Sequence, residues 1–292
     1  MKKIIITLLL ISTLSSVLFA DEKFFQYPQA PESLTTLSQR ANFVVEHFWD
    51  RCNLKSAFSS RDKMASAFRD YVTYMQFASK DTTITSINKL IKEVQKKPQN
   101  MLTLAQIAEE TLYGDSALFW SDELYLQFTN AVIKTKKISK ADKARYVHHT
   151  KILTNSLTNT KLANFEYESL SGEKFQFDSI NAPAIILFFN DIDCTDCQLA
   201  KVRLATDLNL NKLIDRGVIK IVSIYPGEAS EEWKMEASNY PQNWIIGACD
   251  DIHDMFDLRV IPTIYQLDDS HKIIAKNLNV DGILSVISTI NL

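Results

Sequence analysis

The chain has 292 residues, enough for two domains, and its 46% hydrophobic and 23% charged residues are typical of a globular protein, not a disordered one. Its formal net charge is only −3 and it has no long basic run, so the charge pattern gives no support for nucleic-acid binding. The chain has six glycines and neither of the glycine-rich motifs that bind nucleotides, which argues against a nucleotide cofactor.

The amino terminus has the pattern of an export signal. Lys2 and Lys3 form a positive region, an apolar run follows, and Ala20 is a small residue suited to cleavage. Leu18 is larger than the residue usual at its position, so an uncleaved anchor is the alternative. Because the apolar run is short for a membrane span and is interrupted by hydroxyl residues, we predict a signal peptide over residues 1–20. The mature protein is then expected in the periplasm or cell envelope.

The chain has helical periodicity almost throughout from about Ser33 to about Thr160, with apolar residues recurring at spacings of three and four. Asp81, Pro98 and Ser121 stand where they could start helices. No sequence motif repeats at a fixed spacing, so a helical repeat array is not indicated. The predicted helices contain Leu34–Phe48, Met64–Met75, Ile84–Val94, Pro98–Leu112, Leu124–Val132 and Ala141–Leu157.

After Lys161 the pattern changes to short apolar strands that alternate with helices. A hairpin is predicted around the turn Ser171–Lys174, and the strand Ala184–Phe189 follows. The two cysteines come next along the chain. One helix is predicted to run from these cysteines to Leu213, and Gly217 ends it. The remaining predicted elements are the strand Val218–Tyr225, a short helix Glu231–Ser238, a strand Trp244–Ile246, a short helix Asp250–Leu258, a hairpin of Thr263–Leu267 with Ile273–Ala275, and a final helix Ile283–Ile290.

This alternation predicts an α/β sheet covered by other elements on both faces. The fold-class prediction is therefore α plus α/β: an all-helical domain over residues 21–160, followed by a domain with a central mixed sheet over residues 161–292. The boundary is expected in the polar stretch Thr154–Thr160.

The motif with the clearest chemistry is Cys194-Thr195-Asp196-Cys197, which follows the predicted strand Ala184–Phe189. It places two sulfurs where a strand ends and a helix begins, and there the helix dipole and free N–H groups favour a thiolate. Sulfurs three residues apart can approach on the first helical turn and form a disulfide. In an exported protein such a pair is better explained by redox chemistry than by a zinc site of which it would supply one half. An inert disulfide and a metal site are the alternatives, although the metal site lacks nearby Met or His ligands.

Residues 161–292 resemble the thioredoxin fold, specifically the exported thiol-disulfide oxidoreductases of the TlpA/ResA type. The resemblance is carried by the opening hairpin, the strand–C-x-x-C–helix unit, the next strand, and Val260-Ile261-Pro262-Thr263. It implies that Pro262 is a cis-proline facing the dithiol and that the Ile261 backbone pairs with an extended substrate. It also implies that Cys194 is the attacking thiolate and that Cys197 resolves the mixed disulfide.

Two positions depart from that family. Asp193 stands where many members have an aromatic residue, and Phe188 stands where thioredoxins have a buried acid. Glu168 or Asp191 could replace that acid, but the sequence places neither under the sulfurs. Because the carboxylates of Asp193 and Asp196 raise the pKa of a nearby thiol, we expect weak activation and a reducing dithiol.

The helical half resembles an uncharacterised helical domain that precedes thioredoxin-like domains in Bacteroidetes envelope proteins. The resemblance is carried by Val45-Glu46-His47-Phe48-Trp49-Asp50 and brings no known chemistry. We expect this half to select or position a peptide or protein partner.

The other two cysteines, Cys52 and Cys249, are interpreted as buried thiols, Cys52 on a helix beside Trp49. A bridge between them stays open, as does a third redox role for Cys249. The spacing of Cys249 and His253 could suggest a metal pair, but a buried thiol and a surface imidazole are the simpler interpretation. His148-His149 is interpreted as a solvated helix face.

Two further groups have structural interpretations. Seven aromatic residues at helical spacing are predicted to be core and not a peptide groove: Phe43, Phe48, Trp49, Phe68, Tyr71, Tyr74 and Phe77. Three acidic pairs are predicted to be helix-start or turn carboxylates: Asp122-Glu123, Asp250-Asp251 and Asp268-Asp269.

The leading hypothesis is an exported thiol-disulfide oxidoreductase. Its partners would be protein thiols and disulfides and an upstream thiol reductant, and its only redox group would be the Cys194–Cys197 disulfide. No metal, nucleotide or nucleic acid is expected. The alternative is a redox-silent binding or scaffold protein, which the departures at Asp193 and Phe188 favour.

Overall fold

The structure is a computed structural model that describes residues 24–114, 117 and 119–290. The predicted signal peptide lies outside the described residues. Among the residues described, no helix is long and apolar enough to cross a membrane.

The amino-terminal half is helical, as predicted. The six predicted helices correspond to α1 and α3–α7, the first beginning later and the last ending earlier than expected. The additional α2 is a single turn. Within the described ranges the helices are α1 (Leu37–His47), α2 (Leu54–Ala57), α3 (Arg61–Met75), α4 (Lys80–Val94), α5 (Pro98–Leu112), α6 (Asp122–Lys134) and α7 (Lys140–Thr154).

Local capping chemistry fixes where several of these helices begin. Pro98 occupies the first turn of α5, as predicted. Ser121 stands at the predicted N-cap position of α6, but its side chain makes no capping hydrogen bond there. The prediction that Asp81 caps α4 is wrong, because the Ser79 hydroxyl accepts a hydrogen bond from Thr82 N at 3.2 Å and starts the helix earlier. Such a cap contributes about 1 kcal/mol to stability.

One apolar cluster fills the helical half. Phe48, Phe68 and Tyr71 are fully buried, and Trp49 is nearly so. Tyr71 donates a hydrogen bond to Ser86 Oγ at 2.6 Å, which satisfies its buried hydroxyl. The core interpretation is confirmed for these four aromatic residues. The other three are more exposed: Phe43, Tyr74 and Phe77.

The carboxyl-terminal half contains a seven-stranded mixed sheet in the order β2-β1-β5-β4-β3-β6-β7. β3 lies parallel to β4, β4 lies parallel to β5, and the other neighbours are antiparallel. The strands are β1 (Glu166–Ser169), β2 (Lys174–Gln176), β3 (Ala184–Phe189), β4 (Ile219–Tyr225), β5 (Ile245–Ala248), β6 (Thr263–Asp268) and β7 (Ile273–Ala275). The helices of this half are α8 (Thr195–Thr206), α9 (Leu208–Asp215), α10 (Glu231–Ala237) and α11 (Val280–Ser288).

Three predicted helices of this half need correction. The helix expected to run from the cysteines to Leu213 is two helices, because Asp207 is extended and its carboxylate caps α9 by accepting from Leu210 N at 2.8 Å. The helix predicted to begin at Asp250 is a short 3₁₀ turn, Asp250–Asp254. The final helix begins earlier than predicted, where the side chain of Asn279 caps α11.

The side chains of β3 explain why the sheet is covered on both faces. Ile185, Leu187 and Phe189 pack in one apolar cluster, whereas Ile186 and Phe188 pack in the other. The second cluster contains residues of α8, α9 and α11. The predicted fold class is therefore confirmed.

The connection between the halves follows α7. Asn159 N donates to the carbonyl of Ile273 in β7 at 2.8 Å, and Ile273 N donates to the carbonyl of Thr160 at 2.9 Å. The chain thus joins the edge of the sheet near the expected boundary, which itself stays a prediction.

Candidate functional site

Sheet register brings the two sequence motifs of the second half to one edge. β6 runs antiparallel to β3 with Thr263 opposite Phe189, so the start of β6 lies beside the end of β3. The dithiol follows Phe189 along the chain, and Pro262 precedes Thr263. The motifs are far apart in sequence but adjacent in the fold.

The two sulfurs lie where the sequence predicts. Cys194 and Cys197 form a disulfide with their Cα atoms 5.1 Å apart. Cys194 is the N-cap of α8, and its Sγ accepts a hydrogen bond from Cys197 N at 3.0 Å. Cys194 is half-buried, whereas Cys197 is only 1% exposed. An incoming reagent would therefore meet Cys194 first.

Ile261 and Pro262 face this disulfide. The Ile261–Pro262 peptide bond is cis, and the carbonyl oxygen of Ile261 lies 3.8 Å from Cys194 Sγ. Thr263 donates its hydroxyl to the carbonyl of Val260, which closes the turn before β6. The structure thus brings together all four residues predicted for the site, and their individual roles stay predictions.

The position of the missing buried acid is taken by a phenylalanine, and Glu168 does not replace the acid. Phe188 is fully buried in the cluster that also contains Cys197. Glu168 lies on β1, which β5 and β4 separate from β3, a distance of about 14 Å at the usual strand spacing. Asp191 accepts from Asp193 N at 3.1 Å in the loop before α8. The proposed replacement by Glu168 is therefore wrong.

A buried polar network next to β3 was missed by the sequence analysis. Asn190 directly follows β3, is 3% exposed, and donates to Ser223 Oγ at 2.7 Å and to the Phe188 carbonyl at 3.1 Å. Its Oδ1 accepts from the Tyr240 hydroxyl at 2.7 Å. Burial raises the pKa of Tyr240 to about 12, with the charges of Glu236 and Asp191 adding to the effect. The available signal was a polar residue at the end of an apolar strand.

An ion pair joins α8 to α10 beside this network. Lys201 Nζ lies 2.8 Å from Glu236 Oε1 and 4.2 Å from the centroid of the Tyr240 ring. Gln198 also donates to Glu236, at 3.2 Å. The hydrogen bond from Lys201 lowers the pKa of Glu236. These contacts fix the helix that begins at the dithiol.

The two remaining cysteines are free thiols in different places. Cys52 packs against the helical core and lies in the turn between α1 and α2, so its predicted helical position is wrong. Cys249 follows β5 and packs against a core of the sheet, which excludes the Cys52–Cys249 bridge in this structure. Burial raises the pKa of each thiol to about 11.

The prediction that His149 lies on a solvated helix face is wrong, because α7 packs that side chain against α6. Its Nδ1 lies 2.8 Å from the Tyr125 hydroxyl oxygen, and its ring centroid lies 4.7 Å from that of Tyr113. Burial lowers the pKa of His149 to about 4. His148 is exposed, as expected.

Asp122 is a helix-start carboxylate, as predicted, but it also has charged partners that the sequence analysis missed. It lies in the first turn of α6, and its side chain is only 8% exposed and pairs with Arg259 and Lys276 of the other half. Only the tertiary structure could supply these partners.

For metal binding, the described ranges contain no group of three or more His, Cys, Asp or Glu side chains arranged to hold an ion. His253 is exposed, and the thiol of Cys249 is half-buried.

A central mixed sheet, a disulfide at the N-terminus of the helix after β3, and a cis-proline opposite it define a thioredoxin-like protein. The helical half gives the family: the sequence model described as a domain of unknown function, DUF5106, matches residues 8–156, just over half of the chain. The chain therefore belongs to the DUF5106 family.

A solved structure that is similar over most of the chain agrees with this fold. A thioredoxin-like protein from Bacteroides caccae is 23% identical with a TM-score of 0.79, over 92% of this chain and 99% of that one. A domain of a possible thiol-disulfide isomerase from Cytophaga hutchinsonii is 23% identical with a TM-score of 0.39, over 46% of this chain and 92% of that one. The thioredoxin domain of a thiol-disulfide oxidoreductase from Bacteroides vulgatus is 20% identical with a TM-score of 0.40, over 46% and 96%. No curated protein matches this chain.

Proposed function

We propose that this protein is a thiol-disulfide oxidoreductase that reduces or isomerises protein disulfides through Cys194 and Cys197. The observation that carries the proposal is the half-buried Cys194 sulfur at the N-terminus of α8, which accepts from Cys197 N and faces the Ile261 carbonyl at 3.8 Å. A sulfur in this position can be attacked from solvent. A thiolate there is stabilised by the helix N-terminus.

In the proposed reaction the reduced Cys194 thiolate attacks one sulfur of a substrate disulfide. The substrate S–S bond breaks, a mixed disulfide forms, and the released substrate thiolate takes a proton from water. The Cys197 thiol gives its proton to water and its thiolate attacks Cys194 Sγ. The second substrate sulfur leaves as a thiolate that takes up a proton from water, and the Cys194–Cys197 disulfide forms. Two electrons pass to the substrate, so an upstream thiol reductant must restore the dithiol.

The surroundings of the dithiol support the reducing direction. Asp193 and Asp196 are exposed carboxylates that flank the sulfurs in sequence and disfavour a thiolate. Because the thiolate is weakly stabilised, the equilibrium favours the disulfide over the reduced dithiol, which lowers the reduction potential. We expect a potential well below about −150 mV, away from the range of strongly oxidising disulfides.

Export to the periplasm or cell envelope is part of the same proposal. It is supported by the sequence pattern of residues 1–20, and an oxidising compartment is where disulfide substrates form.

Insulin reduction tests the activity, with dithiothreitol as the reductant and Cys194→Ser as the control. We expect the wild-type protein to accelerate precipitation of the insulin B chain and the variant to lose that acceleration. Equal rates for the two proteins would instead support a redox-silent scaffold, the alternative suggested by Phe188 and Asp193.

The substrates can be identified with Cys197→Ala, which leaves Cys194 free to attack but removes the resolving thiol. We expect this variant to accumulate mixed disulfides with envelope proteins. The double variant Cys194→Ser/Cys197→Ala should capture none.

A further inference from the structure

A buried charged cluster joins the helical half to the segment that precedes Ile261. Arg259 Nη2 lies 2.9 Å from Asp257 Oδ2 and 3.3 Å from Asp122 Oδ1. Asp122 also pairs with Lys276. Two carboxylates and two cations thus meet with each side chain at least 87% buried, although Asp122 comes from α6 and the other three come from the thioredoxin-like half.

Aromatic rings of the helical half also contact the Arg259 guanidinium. The guanidinium carbon lies 3.7 Å from the centroid of the Tyr113 ring and 4.6 Å from that of Trp120. Arg259 also donates to the Tyr113 carbonyl, and the Tyr113 hydroxyl donates to Asp257 Oδ1 at 3.3 Å. A planar guanidinium with this many directional partners has one preferred position.

Arg259 is close enough to the dithiol to control what faces it. Two residues of chain span at most about 7 Å, so a fixed Arg259 restricts the position of Ile261. On the other side of Pro262, Thr263 is fixed by its pairing with Phe189 in the sheet. The segment whose carbonyl lies 3.8 Å from Cys194 Sγ is therefore anchored by the helical half at one end and by the sheet at the other.

The chemistry of the cluster favours positioning over stability. Buried ion pairs lose much of their attraction to the cost of removing both charges from water, whereas their geometry is well defined. A cluster of this kind contributes little net stability but selects one arrangement of the segments that carry it.

We infer that Asp122 and Tyr113 of the helical half are positioning residues for peptide substrates. They act through Arg259 and its partner Asp257 to hold the Ile261–Pro262 segment where an extended disulfide-containing peptide can pair with its backbone. The inference rests on the proposed function and gives the helical half a definite role in it. A small disulfide that does not pair with the backbone of the Ile261–Pro262 segment does not depend on this positioning.

The test compares two substrates of the full-length protein: insulin, and hydroxyethyl disulfide as a small disulfide. In Asp122→Asn, we expect the KM for insulin to rise about tenfold because Arg259 loses a charged partner, with kcat changed less than about twofold. The rate with hydroxyethyl disulfide should stay at the wild-type level. Glu123→Gln is the matched control: it is the neighbouring residue, and it removes an ion pair to Lys80 inside the helical half. It should leave both substrates unaffected.

An unchanged KM for insulin in folded Asp122→Asn overturns the inference, as does an equal loss of activity with both substrates. Inactivity of the wild-type protein toward both substrates would overturn the proposed function itself. If Asp122→Asn does not fold, Tyr113→Phe is the second variant, because it removes only the hydroxyl that donates to Asp257. We expect it to raise the KM for insulin about twofold to threefold, and an unchanged KM would again overturn the inference.

Discussion

At the residue scale, burial decides which titratable side chains can react. Cys194 and Cys197 are paired at a helix N-terminus, whereas burial raises the thiol pKa of Cys52 and of Cys249 to about 11. At neutral pH these two thiols carry very little thiolate, which is the reactive form. The same physics acts on His149, whose buried imidazole stays neutral.

His149 should make stability depend on pH between about 6.5 and 4. Its pKa is about 4 in the folded chain, lowered by burial and then by the charges of His148, Arg145 and Arg259, against about 6.5 when unfolded. Above pH 6.5 the His149 imidazole is neutral in both the folded and the unfolded state. As the pH falls toward 4, only the unfolded state takes up the proton, so the free energy of unfolding decreases.

Urea unfolding of His149→Gln at several pH values measures this effect. We expect a flatter decline than in the wild type between pH 6.5 and 4. His253→Gln, at an exposed position of the other half, should keep the wild-type slope, and a wild-type slope in His149→Gln would contradict the assignment.

At the scale of single elements, α8 combines two opposing influences on the dithiol. Its first turn offers the Cys197 N–H to Cys194 Sγ at 3.0 Å, which favours a thiolate. The carboxylates of Asp193 and Asp196 oppose it. The reduction potential of the dithiol thus depends on both influences, and the two aspartates can be substituted without changing the cysteines.

Asp193→Asn/Asp196→Asn should therefore raise the reduction potential of the dithiol. Removal of two exposed carboxylates favours the thiolate and hence the reduced form, by on the order of 20 mV for a change near 1 kcal/mol. Equilibration with glutathione buffers measures the potential. Asp215→Asn, at the far end of α9, is the control and should leave it unchanged. A lower potential in the double variant would show that these carboxylates do not act as argued.

At the scale of the whole molecule, the apolar core of the helical half and those of the sheet are joined by a polar interface. The helical half has one core cluster of its own, and the sheet has clusters on its two faces. The contacts between the halves include hydrogen bonds and ion pairs, such as Asn155 Nδ2 to the Met255 carbonyl at 2.9 Å and Arg259 to Asp122. The Arg259 guanidinium also lies over the rings of Tyr113 and Trp120. Each half thus has the apolar interior that a domain needs.

This arrangement predicts that residues 161–292 fold without the helical half. We expect the fragment to show a cooperative urea transition and the circular dichroism of a mixed sheet protein, because both faces of its sheet keep their cores. The full-length chain is the reference. A fragment without a cooperative transition would show that the predicted boundary divides a single folding unit.

Much of the fold could be predicted from periodicity, because apolar spacing records which side of an element is buried. β3, β4 and the β6–β7 hairpin were found within about a residue of their ends. The errors at Asp81 and Asp207 come from side chains that compete for backbone N–H groups, where capping, not apolar spacing, decides. Cys52 is not on a helix because the chain leaves α1 in a turn before it reaches this residue.

The dithiol and its place between a strand and a helix can be predicted from the sequence, because they depend on residue types at short spacings. That Pro262 faces the dithiol is implied by the family resemblance. The buried charges that anchor the segment before Pro262 become visible in the packed structure. Asp122, Arg259 and Lys276 come from distant positions, and none has a local pattern that predicts its neighbours. Local sequence encodes backbone conformation and apolar faces, whereas the partner of a buried charge is fixed only when separate elements pack and exclude water.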